Sequence, residues 1–183
     1  MLTCLIGKSG SGKTSLAKLL EERIGINRIK GYTTRPKRDE SDDDYNFVDN
    51  ERLDFYAYYD DILCETEING YHYWKLKSEI TGDNQTIIVN PEGLRELYET
   101  DIELVVINLV ADWKDRYYRI LESVKFNQSH FATTFSTPEP MKETANRLDR
   151  DTGFECLKVD WTVDANRPIE EVYADVKKII EMQ

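Results

Sequence analysis

The chain has 183 residues, 40% apolar and 32% charged, a balance that suits one soluble globular domain and excludes a disordered polymer. Its net charge of −11 argues against broad binding to DNA, RNA or an anionic membrane surface. Cys4, Cys64 and Cys156 lie far apart, at no metal or redox spacing, so buried or half-buried thiols in a reducing cytosol are expected. The stretch before the first glycine is too short and uncharged for a signal peptide, and no apolar run approaches membrane-spanning length; a cytoplasmic protein is expected.

In chain order, Leu2 to Ile6 is a short apolar run that ends at Gly7 and predicts a buried strand. Leu16, Ala17, Leu19, Leu20 and Ile24 then recur at helical spacing, and Gly25 supplies a stop. From residue 33 to about 80 the texture changes. "YNFV", "ILCETEI" and "YHYW" are short and aromatic or β-branched, and Asn69-Gly70 marks a hairpin, so a small antiparallel or mixed insert is expected. "TIIV" and "LVVINLV" lack alternation, as strands of a parallel sheet buried on both faces do. Helical patterns follow each of them, from Pro91 to Glu99 and from Asp112 to Val124. A polar stretch from Lys125 to Pro140 predicts a mobile loop. A helix from about Met141, a strand near Trp161 to Val163 and an amphipathic helix from Pro168 to Met182 complete the chain. Alternating strands and helices predict a three-layer α/β fold around a central parallel sheet.

Gly7-Lys8-Ser9-Gly10-Ser11-Gly12-Lys13-Thr14 matches GxxxxGK(S/T) and falls between a predicted strand and a predicted helix. Glycines let successive N–H groups turn inward, and the helix N-terminus adds its positive dipole end. Lys13 is expected to reach the β- and γ-phosphates of a nucleotide and the Thr14 hydroxyl to ligate Mg²⁺, with Ser15 closing the loop. Phosphate binding is the firmest reading. The loop alone leaves kinase, GTPase, motor and transporter open.

Further on, "GYTTRPKRDESDDDYNFV" carries Arg35 and Arg38 three apart, a spacing suited to forked recognition of phosphate, with Tyr45 as a further donor. This segment resembles the phosphate clamp of guanylate kinases through Thr33, Thr34, Arg35, Arg38, Glu40, Tyr45, Phe47 and Val48. "NGYHYW" is similar to that family's hairpin through Gly70 and Tyr73. The resemblance implies a P-loop core (1–32 and 81–183) with a lid at about 125–140, and a nucleoside-monophosphate-binding insert at 33–80. It implies phosphoryl transfer from ATP, with Mg²⁺, to a nucleoside monophosphate, GMP or dGMP first. By the same resemblance, Thr33, Arg35, Arg38, Tyr45 and Tyr73 hold the acceptor. Arg119, Arg147 and Arg150, with Arg116 beside them, become candidates to neutralise the transferred group, and Asn166 stands near the adenine.

The base-reading positions depart from the family. Gly31 stands where a serine is expected, Asn90 where an acid follows the central strand, and Cys64 where the hairpin acid belongs, with Glu65 one residue away. The clamp is two residues shorter than usual, and "SVKFNQSHFATTFSTPEP" lacks the family's Gly-Arg. A deoxynucleotide or a broader base range therefore stays open, as do a non-catalytic guanylate-kinase-like binding module and a P-loop kinase of another small molecule. Small nucleotides are the expected partners, without nucleic acid or membrane, in a monomer or a homodimer. The acidic run Asp39 to Asp44 lacks the spacing of a calcium loop and is expected to be solvated.

Overall fold

The computed structural model describes residues 1–37, 40, 42–129, 139–149 and 151–183, with the backbone alone at 124–129 and 139–143. Five parallel strands form the central sheet in the order β2-β7-β1-β8-β9: β1 (Leu2–Ile6), β2 (Asn27–Arg28), β7 (Gln85–Ile88), β8 (Leu104–Val110) and β9 (Trp161–Asp164). The unbroken apolar runs of β1 and β8 follow from burial on both faces. Leu5, Ile107 and Leu109 point into one core, shared with helices α1 (Lys13–Ile24) and α6 (Ile169–Glu181) through Leu16, Leu20, Val172 and Val176. Leu2, Cys4, Ile6 and Val106 point into a second core, closed by Leu94 and Leu97 of α3 (Pro91–Tyr98). Neighbours along a strand thus serve opposite layers. Helix α1 stops where the sequence predicts, with Gly25 in the left-handed region at φ 68°.

A second sheet, in the order β4-β3-β6-β5, is built from β3 (Gly31–Thr33), β4 (Tyr45–Phe47), β5 (Ile62–Ile68) and β6 (Tyr71–Leu76). It is mixed. The β5–β6 hairpin turns at Asn69-Gly70, whereas β3 and β4 run parallel, with Thr33 opposite Phe47. A helix the sequence did not announce, α2 (Asn50–Tyr58), fills the connection between β4 and β5. Asp49 caps it by accepting from the Arg52 N–H, and none of its residues is buried.

Helix α4 (Trp113–Ser129) continues past Val124, so the first five residues of the expected mobile stretch are helical. Helix α5 runs from Glu139 to Asp149, and the rest of the expected lid, 130–138, lies outside the described residues. Cys4 and Cys64 are buried, but Cys156 is exposed, contrary to the reading of all three thiols as sheltered. Among the described residues, no helix is long and apolar enough to cross a membrane.

The two sheets are tied together close to the glycine-rich loop. Lys18, just over one turn into α1, pairs with Asp43 and Asp44 at 3.0 and 2.8 Å. Lys75 of β6 is half-buried and donates to the Ile29 carbonyl at 3.1 Å, and burial pushes its ammonium down to about 8. Leu16 is fully buried one turn behind the loop. Leu16→Ala should therefore lower the unfolding free energy by about 2–5 kcal/mol, read from denaturant titration of the two proteins.

Candidate active site

All five strands of the central sheet point their C-terminal ends to one edge, where ligands bind in open α/β sheets. The glycine-rich loop leaves β1 there. Gly7 has φ 149°, and a Cβ on it would lie 2.5 Å from the Leu109 carbonyl oxygen. Gly10 has φ 78°, with a would-be Cβ 2.7 Å from the Arg116 carbonyl oxygen. A side chain at either position meets backbone in a conformation that L-residues resist. Gly12 caps α1 without a side-chain hydrogen bond, which leaves the first N–H groups of the helix directed at the loop.

Lys13 folds back across this loop. Its Nζ donates to the Gly7 carbonyl at 2.7 Å and the Lys8 carbonyl at 3.0 Å. Burial pushes the ammonium down to about 8, a lowering that nearby Asp151 opposes and Arg116 reinforces. Thr14 and Ser15 are exposed on the first turn of α1. Lys8, Ser9 and Ser11 complete the loop, with the Ser11 N–H donating to the Lys8 carbonyl at 3.1 Å.

The clamp residues gather on one face of the second sheet. Thr33 lies opposite Tyr73 on β6, and Tyr73 opposite Thr66 on β5. The Tyr45 and Tyr73 rings meet edge-on at 5.5 Å. The Arg35 guanidinium lies 5.0 Å from the centre of the Phe47 ring and 6.0 Å from that of Tyr45. Arg35 is nearly buried and engaged: Nη2 donates to Asp42 at 2.9 Å and Nη1 to the Pro36 carbonyl at 2.8 Å, while its Nε has no partner among the described residues. Within the acidic run only Asp42 is sheltered, against Arg35; Asp43 and Asp44 pair with Lys18 while staying open to solvent, and Asp39 lies outside the described residues. No group of three metal-binding side chains occurs among the described residues. Arg38 lies outside them.

Glu65 does not join this face. A bulge between Leu63 and Thr66, with Cys64 at φ 57°, turns Glu65 to the opposite side, where it meets His72 Nδ1 at 2.8 Å. Thr66 takes the inner position and accepts from Asn90 Nδ2 at 2.8 Å. The Asn90 Oδ1 meanwhile caps α3 by accepting from the Gly93 N–H at 2.8 Å. Burial pushes the Cys64 thiol up to about 12, with Glu96 adding to the rise, and the Cys64 N–H donates to Glu96 at 2.7 Å. Thr66 was missed in the sequence because a bulge leaves no local compositional mark.

Two of the expected phosphate-facing arginines hold protein atoms. Arg119 donates to the Gly10 carbonyl at 3.4 Å and the Ala165 carbonyl at 2.8 Å. Arg116 forms a buried pair with Asp151. Arg147 is half-buried on α5, and Arg150 lies outside the described residues. Asn166 links the ends of β8 and β9: its Oδ1 accepts from the Asp112 N–H and its Nδ2 donates to Asp164, both at 2.8 Å.

A parallel sheet with a glycine-rich loop after its central strand, and a small mixed sheet set beside it, defines a P-loop α/β fold. No family model matches the chain. The guanylate kinase of Fusobacterium nucleatum is 37% identical over 76 residues, a segment that spans 40% of this chain and 41% of that relative's length. The crystal structure of guanylate kinase from Anaplasma phagocytophilum superposes with a TM-score of 0.61 at 19% identity, covering 100% of this chain and 85% of the other, a likeness of fold. In sequence over that segment and in fold throughout, the chain is guanylate kinase-like.

The depressed ammonium of Lys13 sets a pH window. Below about pH 8 the group is charged before an anion arrives, and the affinity for sulfate, which does not itself titrate in this range, should be flat. Above that value binding must take up a proton, and affinity should fall by up to about tenfold per pH unit. Calorimetric titration between pH 6.5 and 9.5 reads this slope, which Lys13→Met should remove together with most of the binding.

Proposed function

We propose that the chain transfers the γ-phosphoryl group of ATP to a nucleoside monophosphate, with GMP or dGMP as the first acceptor to test. The observation that carries this reading is Lys13, folded over the carbonyls of a glycine-rich loop at the start of α1, where no side chain caps the helix, in a chain of guanylate kinase-like fold. Residues 1–32 and 81–183 serve as the donor core, 33–80 as the acceptor insert, and the segment at about 125–140 as the lid.

The residues present fit ATP with Mg²⁺. The uncapped start of α1 offers backbone donors within the loop Gly7 to Ser15, Lys13 an ammonium, and exposed Thr14 a hydroxyl. The exposed Thr14 hydroxyl would hold Mg²⁺ together with phosphate oxygens and water. The metal, when bound, neutralises charge on the β- and γ-oxygens. The protein's own part is positioning and charge compensation: Lys13 over the transferred group, Arg35, Arg38, Tyr45, Tyr73 and Thr33 around the acceptor phosphate, and Arg147 and Arg150 as lid-side cations.

Base reading passes to Asn90 and Thr66. In place of carboxylates, this pair offers an amide and a hydroxyl already bonded to each other, so it discriminates less sharply against bases other than guanine. A second reading, a non-catalytic module for an acidic or phosphorylated partner, is favoured by the Asp42 carboxylate on Arg35, because this guanidinium already takes a carboxylate partner.

A coupled assay with Mg-ATP across the common ribo- and deoxynucleoside monophosphates tests the proposal, and absence of turnover by folded protein with every acceptor would sink it. ATP binding that requires Lys13 supports the enzyme over the module. Arg35→Ala should raise the acceptor KM by about ten- to a hundredfold while leaving that of ATP nearly unchanged, as loss of a charged hydrogen bond implies. Asn90→Asp should raise kcat/KM for GMP relative to AMP, read in the same assay.

A further inference from the structure

Ser9 is gripped on both sides of its backbone. Its N–H donates to Asp151 Oδ1 at 2.8 Å, and Nη1 of Arg116 lies 3.3 Å from its carbonyl oxygen. The same Nη1 donates to Asp151 Oδ2 at 2.5 Å, which closes a ring of one carboxylate, one guanidinium and one residue's backbone. Both charged side chains are only 8% exposed. The next residue is held as well, because the Arg116 carbonyl packs on the Cα side of Gly10 and Arg119 takes the Gly10 carbonyl. Arg116 comes from α4 and Asp151 from the segment after α5, so two separate parts of the chain converge on the first half of the loop.

A buried ion pair contributes little net stability, because desolvation offsets most of the attraction. Its worth lies in the geometry it fixes. The loop contains three glycines between residues 7 and 12, and such backbone loses more conformational freedom on ordering than any other. Any ordering left undone in the free protein weakens the ligand that must impose it. The carboxylate takes the Ser9 N–H and leaves the first turn of α1, beyond Gly12, without a side-chain cap.

We propose that Arg116 and Asp151 are positioning residues for the donor phosphate: acting through Ser9, they hold the loop open in its binding shape before the nucleotide arrives. The inference rests on the ATP reading given above. It reassigns Arg116, which touches loop backbone and not the transferred group. Asp151 is its required counterpart, because without the carboxylate the Ser9 N–H loses its acceptor and Arg116 keeps an uncompensated buried charge.

The test combines hydrogen–deuterium exchange of the peptide covering residues 6–14 with calorimetric titration by a non-hydrolysable ATP analogue, on wild type, Asp151→Ala and Asp151→Asn. Asp151→Ala should speed exchange in that peptide and weaken the analogue by about tenfold, the scale of one lost charged hydrogen bond, with the acceptor KM unchanged. Asp151→Asn retains an oxygen for the Ser9 N–H but sets its amide NH₂ against Arg116, so it should fall between Asp151→Ala and the wild type in both measurements. Unaltered exchange in Asp151→Ala would overturn the proposal. So would tighter analogue binding, which would make the carboxylate a competitor for the anion site, or equal impairment of both variants with only a fall in Tm. Failure of the wild type to bind the analogue would remove the kinase reading by itself; the exchange data would still decide whether Asp151 fixes the loop.

Discussion

The Lys13 ammonium, bent back onto the carbonyls of Gly7 and Lys8, is the interaction on which the site depends. A cation placed inside a turn of backbone turns those carbonyls toward itself and leaves the N–H groups at the start of α1 for an anion. The arrangement needs a strand that ends abruptly, a glycine that clears the Leu109 carbonyl and a helix that begins at once. The central sheet supplies all three, because β1 lies in its middle with β7 and β8 on either side. Packing on both faces of that strand therefore fixes where the lysine stands.

The second sheet meets the first through charge and hydrogen bonds at least as much as through apolar packing. Lys18 pairs with Asp43 and Asp44, Lys75 reaches the Ile29 carbonyl, and Asn90 bonds to Thr66. The half-exposed pairs contribute little to stability individually. What they do is direct: each ties a residue in or beside the second sheet to an element of the central layer. Polar contacts of this kind part at lower cost than a packed apolar seam.

Much of the core was legible because its strands are long and buried on both faces; β8 reads as seven apolar or amide residues without a break. The helix after the loop showed itself through Leu16 and Leu20 and its stop at Gly25. Helix α2 did not, for a physical reason: no residue in it is buried, so no apolar stripe exists to betray it, and Asp49 as its cap was the only local sign. Strands β3 and β4, at three residues each, are too short to reveal whether they pair parallel or antiparallel. At the site, the glycine turns at Gly7 and Gly10 follow from local spacing, while the cluster of Tyr45 and Tyr73 was suggested by the family resemblance. The turn of Glu65 away from Asn90 was not legible, since it depends on a bulge, and neither was the meeting of Arg116 with Asp151, which are 35 residues apart.

Arg35 enters any encounter with phosphate already matched to Asp42. A dianion bound at Arg35 would therefore trade places with a resident carboxylate, and its affinity would reflect the difference between two anions instead of the full attraction of one. Such an exchange releases few counterions to bulk solvent, so recognition at this face should vary little with ionic strength and should favour the doubly charged, forked oxygens of a phosphate over a single carboxylate.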